Sequence, residues 1–536
     1  LPLKNKLFKY LEILLFYSGL SLNIWIIFHF TFISGNDGPS HLYYSRVLQY
    51  LFVNNSFLGD YFVVNHLPVP NLTDHYLLAL LDLLFCSSYS QKILLSIFFI
   101  EFPLCCRSII RKYTPGTIAA SSFIIPFTHC WLFYYGAYNF SISFTFLFFA
   151  LYYYFKKFSN TSVLYPPKKY FIFSLLVLLN YFTNGISFIF LGLACLLAEI
   201  YWLFPKIKVK EVKKQYVLKR IFWFSMLWMP GIVMLYIVNL TIPGLHNSYM
   251  HRIPYDLPVS ELLQWFYNFK CLTFNQPNEG IYTHLFFYWL LLTTAIAIYL
   301  RLKNSARFVF TDIFLILFFL TTVAYFIIPQ NASVGLLSDR LFYYLLIFLL
   351  FWIALQKSMH KVALPLAAIA LIIHAFFFFG SRYSFLTDFD NEVAEMQIAG
   401  TFVKPNSVVF PLKVSNIHPL SGSICNILGI DKPLVILQWY EPDFGWFAVN
   451  RTIGCTPKLY INPYLPDGRL FWVDNNEDKI LKVVDYILFY GDNNEVISQF
   501  VKAHLKSAYI PLFTSPDNKI HIYQLVNRPF EPPENF

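Results

Sequence analysis

Residues 34–75 read SGNDGPSHLYYSRVLQYLFVNNSFLGDYFVVNHLPVPNLTDH. They follow the first long apolar run of the chain, residues 8–32, and hold Asp37, His41, Arg46, Asp60, His66, Asp74 and His75. Only 13% of the 536 residues are charged, so this density of ionisable groups is a local exception. A loop of acids and histidines at the end of a membrane-spanning run is placed to act on a charged lipid.

The rest of the composition supports the membrane setting. The chain is 57% hydrophobic and 20% aromatic, with mean hydropathy +0.52, above the roughly 45–50% apolar content of soluble domains. Sixty Phe and 38 Tyr carry much of the excess, and aromatic rings gather at the membrane–water interface or grip lipids and sugars. The net charge of +10 is a topology signal and no sign of a nucleic-acid partner, because the Lys and Arg residues sit in short loops between apolar runs. Lys4, Lys6 and Lys9 precede an apolar stretch whose end, HFTFISGND (29–37), lacks a small-residue cleavage pattern. That reads as a retained signal-anchor with the N-terminus inside.

Eleven apolar runs have spanning character: 8–32, 92–106, 115–131, 139–155, 169–184, 186–204, 219–240, 284–302, 308–328, 341–356 and 361–380. Basic residues follow the even-numbered ones: Arg107, Arg111 and Lys112; Lys156, Lys157, Lys168 and Lys169; the run 206–220; Arg301, Lys303 and Arg307; Lys357 and Lys361. Loops 33–91, 132–138, 241–283 and 329–340 are poor in positive charge and so lie outside. One more crossing at YLLALLDLLF (76–85) would invert every later loop. That segment is therefore read as a helix in the outer interface, with a true span as the alternative. After Ser381 the pattern changes to short β-like runs (SVVFPL, LVILQW, KLYINP, HIYQLV) and helical stretches 386–400 and 492–506. The expected architecture is a polytopic α-helical membrane protein, residues 1–382, with an external, periplasmic mixed α/β domain over 383–536.

Eight cysteines show no CxxC or CxxH spacing. Cys86, Cys105, Cys106, Cys130 and Cys195 lie in or beside apolar runs as small hydrophobes. Cys425 and Cys455 are placed to pair only if their region is outside and their geometry allows it. No P-loop or G-x-S-x-G elbow occurs.

A first span ending at an acidic residue, a long external loop with interface helices, many further spans and a C-terminal external domain resemble the GT-C glycosyltransferases. That superfamily includes protein O-mannosyltransferases, lipid A aminoarabinose transferases and oligosaccharyltransferase catalytic subunits. The resemblance rests on Asp37 in SGNDGPSHLYYSRVLQY (34–50) and on HLPVPNLTDHYLLALL (66–81). The paired Asp-Glu of the O-mannosyltransferases and the WWDxG of the oligosaccharyltransferases are absent, so no branch is assigned. The resemblance implies a polyprenyl-phosphate sugar donor, a membrane lipid, and an acceptor that is protein, lipid or glycan. It also implies that Asp37 is the general base of an inverting transfer. On its own residues, Asp37 is equally a turn or N-cap aspartate before a helix near Pro39.

A leaving phosphate needs positive charge, and external cations are few: Arg340 foremost, with Arg46, Arg252 and Lys270. Arg340 is alternatively an interfacial arginine beside Asp339. A substrate cavity would draw on His41, His66, Asp74, His75, His129, Tyr134, Tyr138, Asn139 and Asn184, although the aromatic segment THCWLFYYGAYNF (128–140) also suits an interfacial belt. Asp37, His41, Asp74 and His75 offer oxygen and imidazole ligands for a divalent cation, Mn, Mg or Zn. The alternative is histidines in ordinary hydrogen bonds. Loop 241–283, with His246, His251, Arg252 and Asp256, is the expected cover, and WYEPDFGWFAVNR (439–451), with Glu441 and Asp443, suits carbohydrate. Two other readings remain. One is a non-catalytic scaffold holding protein partners through 383–536. The other is a lipid or polysaccharide transporter, against which the scarcity of ionisable groups deep in spans (Glu101, Glu199) counts.

Overall fold

The computed structural model describes residues 2–159, 167–208, 214–241, 257–274, 276, 278–304, 307–330, 336–414, 418–437, 445, 447–452, 471–473, 481–492, 494–501, 505 and 508–526. Among them, nine helices are long and apolar enough to cross a membrane: Lys6–His29, Ser87–Tyr113, Pro115–Tyr135, Gly185–Phe204, Gln215–Thr241, Glu279–Lys303, Phe310–Ile327, Leu337–Ala354 and Ala363–Gly400. Helices Tyr138–Lys157 and Pro167–Thr183 stand at the other two expected apolar runs. The helix at Thr73–Leu81 has nine residues, about half of the ~20 that a crossing needs.

The chain packs as two compact units. The first, residues 1–30, 68–73 and 92–385, contains the spans. Its helix Leu337–Ala354 is 89% enclosed by neighbours, whereas Gln215–Thr241 is only 22% enclosed. The former is the axis of the bundle. The latter exposes Phe222, Ile232, Tyr236 and Leu240, a surface suited to acyl chains. Inside, rings interlock: Phe98, Phe102, Phe144 and Phe148 form one column, and Tyr154, Phe158, Phe173 and Trp202 another.

Charge inside this unit is paired. Arg107 meets Glu12 and also donates to Ser121. Arg220 grips Glu199 with Nε (2.6 Å) and Nη2 (2.9 Å), while Tyr154 donates to the same carboxylate (2.5 Å). Arg301 is bidentate on Asp312 at 2.6 Å, and Trp352 donates to that acid. Glu199, one of the two acids noted deep in spans, is thus fully engaged.

The second unit gathers residues 31–67, 74–91 and 386–536. Nine strands occur among the described residues: β1 (Phe62–Val64), β2 (Ser407–Lys413), β3 (Leu434–Ile436), β4 (Val449–Arg451), β5 (Phe471–Val473), β6 (Leu481–Val483), β7 (Tyr486–Tyr490), β8 (Tyr509–Thr514) and β9 (Ile520–Leu525). Five of them form a sheet in the order β3-β2-β7-β9-β8. The β3-β2-β7 side is parallel, and β9 and β8 add antiparallel strands. All five residues of β7 (YILFY) are buried, the continuous apolar run typical of a central strand covered on both faces. Pro511 and a bulge sit in edge strand β8, where neither interrupts a central ladder.

Strand β1, from the stretch after the first span, pairs antiparallel with β4, Phe62 opposite Arg451. Phe32 N and Thr31 N donate to Asp390, and Tyr43 Oη donates to the Leu434 carbonyl at 2.7 Å. The stretch after the first span is therefore built into the same unit as the C-terminal residues. Cys425 is buried there, and Cys455 lies outside the described residues.

Removing one partner of a buried pair strands the other charge. Arg220→Leu should lower unfolding free energy by about 3–5 kcal/mol, and Arg220→Leu with Glu199→Leu by clearly less. Thermal unfolding in detergent checks the order, and equal losses would contradict it.

Candidate functional site

The turn before the first helix of the second unit explains its odd sequence. Asn36 adopts φ 41°, a region that asparagine tolerates. Its side chain accepts from Gly422 N (2.9 Å) and donates to the Pro419 carbonyl (3.1 Å). A Cβ on Gly35 would lie 2.1 Å from the Leu420 carbonyl oxygen, so glycine is required there. Asn36, and not Asp37, is the N-cap residue, and helix Asp37–Phe52 begins with Asp37 in its first turn. One turn on, His41 is buried, while Asp37 is half-buried.

Helix Thr73–Leu81 brings Asp74 and His75 to the same place. His41 Nδ1 lies 2.6 Å from Asp74 Oδ2 and 3.2 Å from His75 Nε2. His75 N donates to Asp74 Oδ1 at 2.7 Å. The three ligand-type atoms lie within 4.8 Å of one another, and all three residues are buried. Phe447 closes the cluster, stacked on His41 (centroids 5.5 Å apart) and edge-on to His75 (4.7 Å). Burial opposes charge on both imidazoles. At His41 it is outweighed by Asp74 and, as a smaller contribution, by Asp37, so the pKa is raised. At His75 burial dominates, Asp74 offsets it in part, His41 adds to it, and the pKa falls to about 4. The result is an ion pair, His41⁺–Asp74⁻, beside a neutral imidazole, with a further carboxylate, Asp37, within electrostatic reach.

The other expected residues fall elsewhere. His66 is exposed and outside the cluster. Arg46 spends its guanidinium on the Ile430 carbonyl (2.9 Å) and on Gln49 (2.5 Å). Arg252, with His246, His251, Asp256, Glu441 and Asp443, lies outside the described residues. In the first unit, Arg340 is half-buried with its guanidinium 6.0 Å from the Phe140 ring, while Asp339 accepts from Gln330. Asn139 and Asn184 donate to Asn71. With Tyr181 Oη on the Pro68 carbonyl, Thr183 on Thr73 and Leu72 N on the Phe182 carbonyl, they clamp segment 68–73, the six residues that precede Asp74. Tyr138 is fully buried.

His129 shares a buried network with Tyr134 (2.6 Å) and Asn23 (2.9 Å), to which His374 also bonds (3.2 Å). Asn23, His374, Glu279 and Arg382 were not singled out in the sequence. A polar residue inside an apolar run was the available signal for Asn23 and His374. Arg382 falls just after the last run and resembles a loop cation.

The arrangement on the page finds a counterpart among solved structures. The fold is of the GT-C type. The chain is similar to the crystal structure of ArnT from Cupriavidus metallidurans bound to undecaprenyl phosphate, at 10% identity over 95% of this chain and 97% of that one, with a TM-score of 0.51. The apo structure of the same ArnT aligns over equal shares at 9% identity, with a TM-score of 0.41. No protein-family model and no curated protein matches the sequence.

The two imidazoles titrate in opposite senses. Unfolded, His75 takes a proton near its ordinary 6.5; folded, it resists until about pH 4. Its share of stability is present above 6.5 and lost as pH falls toward 4. His41, with a raised pKa, contributes stability below 6.5 that is lost as pH rises through its folded value. Melting temperatures from pH 4 to 8.5 should therefore show a shallower acid limb for His75→Gln and a shallower alkaline limb for Asp74→Asn. Profiles parallel to wild type would refute the assignment.

Proposed function

We propose that this protein is an integral-membrane glycosyltransferase that moves a sugar from a polyprenyl-phosphate carrier to an acceptor at the external face of the cytoplasmic membrane. Its N-terminus is inside and its C-terminal residues are periplasmic. The GT-C-type fold and the undecaprenyl phosphate bound by the similar ArnT support the donor class. The observation that carries the reading is the electrostatic coupling of half-buried Asp37 to the His41–Asp74 pair.

In this reading Asp37 accepts the proton of the incoming acceptor hydroxyl or amine. The acceptor atom bonds to the anomeric carbon from the face opposite the carrier, the carbon–oxygen bond to the lipid phosphate breaks, and the phosphate leaves with that electron pair. The anomeric centre is inverted. Charged His41, held by Asp74, keeps Asp37 ionised and ready to act as the base. Arg340 is the cation of the membrane unit we assign to the carrier phosphate.

We also assign His41, Asp74 and His75 as ligands of one divalent ion. The ring nitrogens lie 3.2 Å apart, close to the ~3.3 Å between two donors each ~2.05 Å from a tetrahedral zinc. Two imidazoles and one carboxylate favour Zn²⁺ or Mn²⁺ over Mg²⁺. Such an ion would supply positive charge where the phosphate departs.

Turnover of a labelled undecaprenyl-phosphate sugar should fall by about 10²–10⁴-fold in Asp37→Asn, and an unchanged rate would remove Asp37 from the chemistry. Elemental analysis of protein purified without chelators should find close to one Zn or Mn per chain, lost in His41→Ala/His75→Ala. Wild-type protein without metal above background would rule out the ion.

A further inference from the structure

Between spans Gln215–Thr241 and Glu279–Lys303, the described residues of the membrane unit form helix Val259–Tyr267 and the turn Lys270–Leu272. The helix is tied to the bundle by Leu262, whose carbonyl accepts from Tyr325 Oη (3.0 Å), and by Phe266 against Phe342 (4.7 Å). That orientation leaves Glu261, Gln264, Trp265 and Asn268 along a cleft of about 520 Å³. The volume is that of a small-molecule site, and the cleft belongs to none of the chemistry assigned above.

The cleft is a built site. Glu279 accepts from Phe274 N (2.7 Å) and Gln276 N (3.0 Å), which fixes the wall that carries Gln276. Its other oxygen lies 3.1 Å from Arg382 Nε. Arg382 is buried, with its guanidinium against the rings of Phe274 (4.0 Å) and Phe377 (4.6 Å). The ammonium of Lys270 sits 5.9 Å from both Trp131 and Trp265, which holds the half-buried Trp265 indole at the cleft. His284, stacked on Tyr267 at 4.5 Å, keeps Nε2 enclosed with no hydrogen-bond partner among the described residues.

Charge and donor chemistry then select the ligand. Arg382 neutralises Glu279, and Lys270 balances Glu261, so the cleft carries no net charge to attract an ion. Gln264, Asn268 and Gln276 each both donate and accept, as sugar hydroxyls do. The indole offers the flat, electron-rich face on which the C–H face of a pyranose packs. We infer that this cleft binds a neutral saccharide unit of the acceptor, packed on Trp265 and hydrogen-bonded by Gln264, Asn268 and Gln276. Its assignment to the acceptor rests on the transferase reading above; the binding itself does not.

The test is saturation-transfer NMR on full-length protein in a sugar-free detergent. The probes are lactose, maltose and N,N′-diacetylchitobiose, with galacturonic acid as the charged control. Transfer to ring protons of at least one neutral disaccharide should exceed that to galacturonic acid. It should weaken at least about fivefold, the value of one hydrogen bond, in Gln264→Ala. It should be lost in Trp265→Ala, return in Trp265→Phe and be unchanged in Asp37→Asn. No transfer to any of the three, preference for galacturonic acid, or equal transfer in the Gln264 and Trp265 variants would overturn the inference. Should Trp265→Ala not fold, exposed Gln264 carries the same decision. Binding without any transferase turnover would leave the cleft standing and remove the transferase reading, and the reverse result would remove only the cleft.

Discussion

A hydrocarbon interior offers no water to a stray charge, and the membrane unit is arranged around that constraint. Each buried arginine toward the basic loops has its own acid: Glu12 for Arg107, Glu199 for Arg220 and Asp312 for Arg301. These arginines belong to the positive residues that orient the bundle. They serve twice, since the side chain that sets which way a helix inserts also ties that helix to its neighbour. The ties are specific because a guanidinium without its carboxylate would be left as an uncompensated buried charge.

The same rule makes the second unit's cluster informative. His41, Asp74 and His75 are buried together under Phe447, and a purely structural core would be filled at lower cost by apolar side chains. One imidazole held charged, its neighbour held neutral and a half-exposed carboxylate one helical turn away are different proton affinities set side by side. The clamp on segment 68–73, made by Asn139, Tyr181, Thr183 and Asn184, fixes the chain immediately before Asp74. Position in the cluster is thereby secured by residues with no chemistry of their own.

How much of this could be read in the sequence follows from how local each signal is. Spans and basic loops are legible because hydropathy sums over neighbours in the chain. The Asp37–His41 spacing is legible because one helical turn joins positions four apart. Asp74 and His75 stood out by adjacency, and their meeting with His41 by composition alone. Phe447 was invisible, since nothing local marks a ring that packs 406 positions away from His41. The pairing of β1 with β4 was equally silent, because three-residue strands carry too little alternation to announce themselves. Asn139 and Asn184 were legible as polar groups at helix ends but not as clamps, because their partner, Asn71, lies in a turn with no periodicity.

One detail of the last long helix bears on how such a chain tolerates change. Phe378–Arg382 form a π turn, and a Cβ on Gly380 within it would fall 2.1 Å from Tyr282 Oη. A wide turn accommodates one residue beyond the regular α repeat. Excising that residue would restore ordinary helix but swing everything after it by about 100°. Arg382 would then lose its bearing on Glu279, and every later side chain of Tyr383–Gly400 would be re-aimed at once. The extra residue therefore acts as an indexing notch: the helix keeps its phase only while the bulge is kept, so this segment can be edited by substitution far more readily than by insertion or deletion.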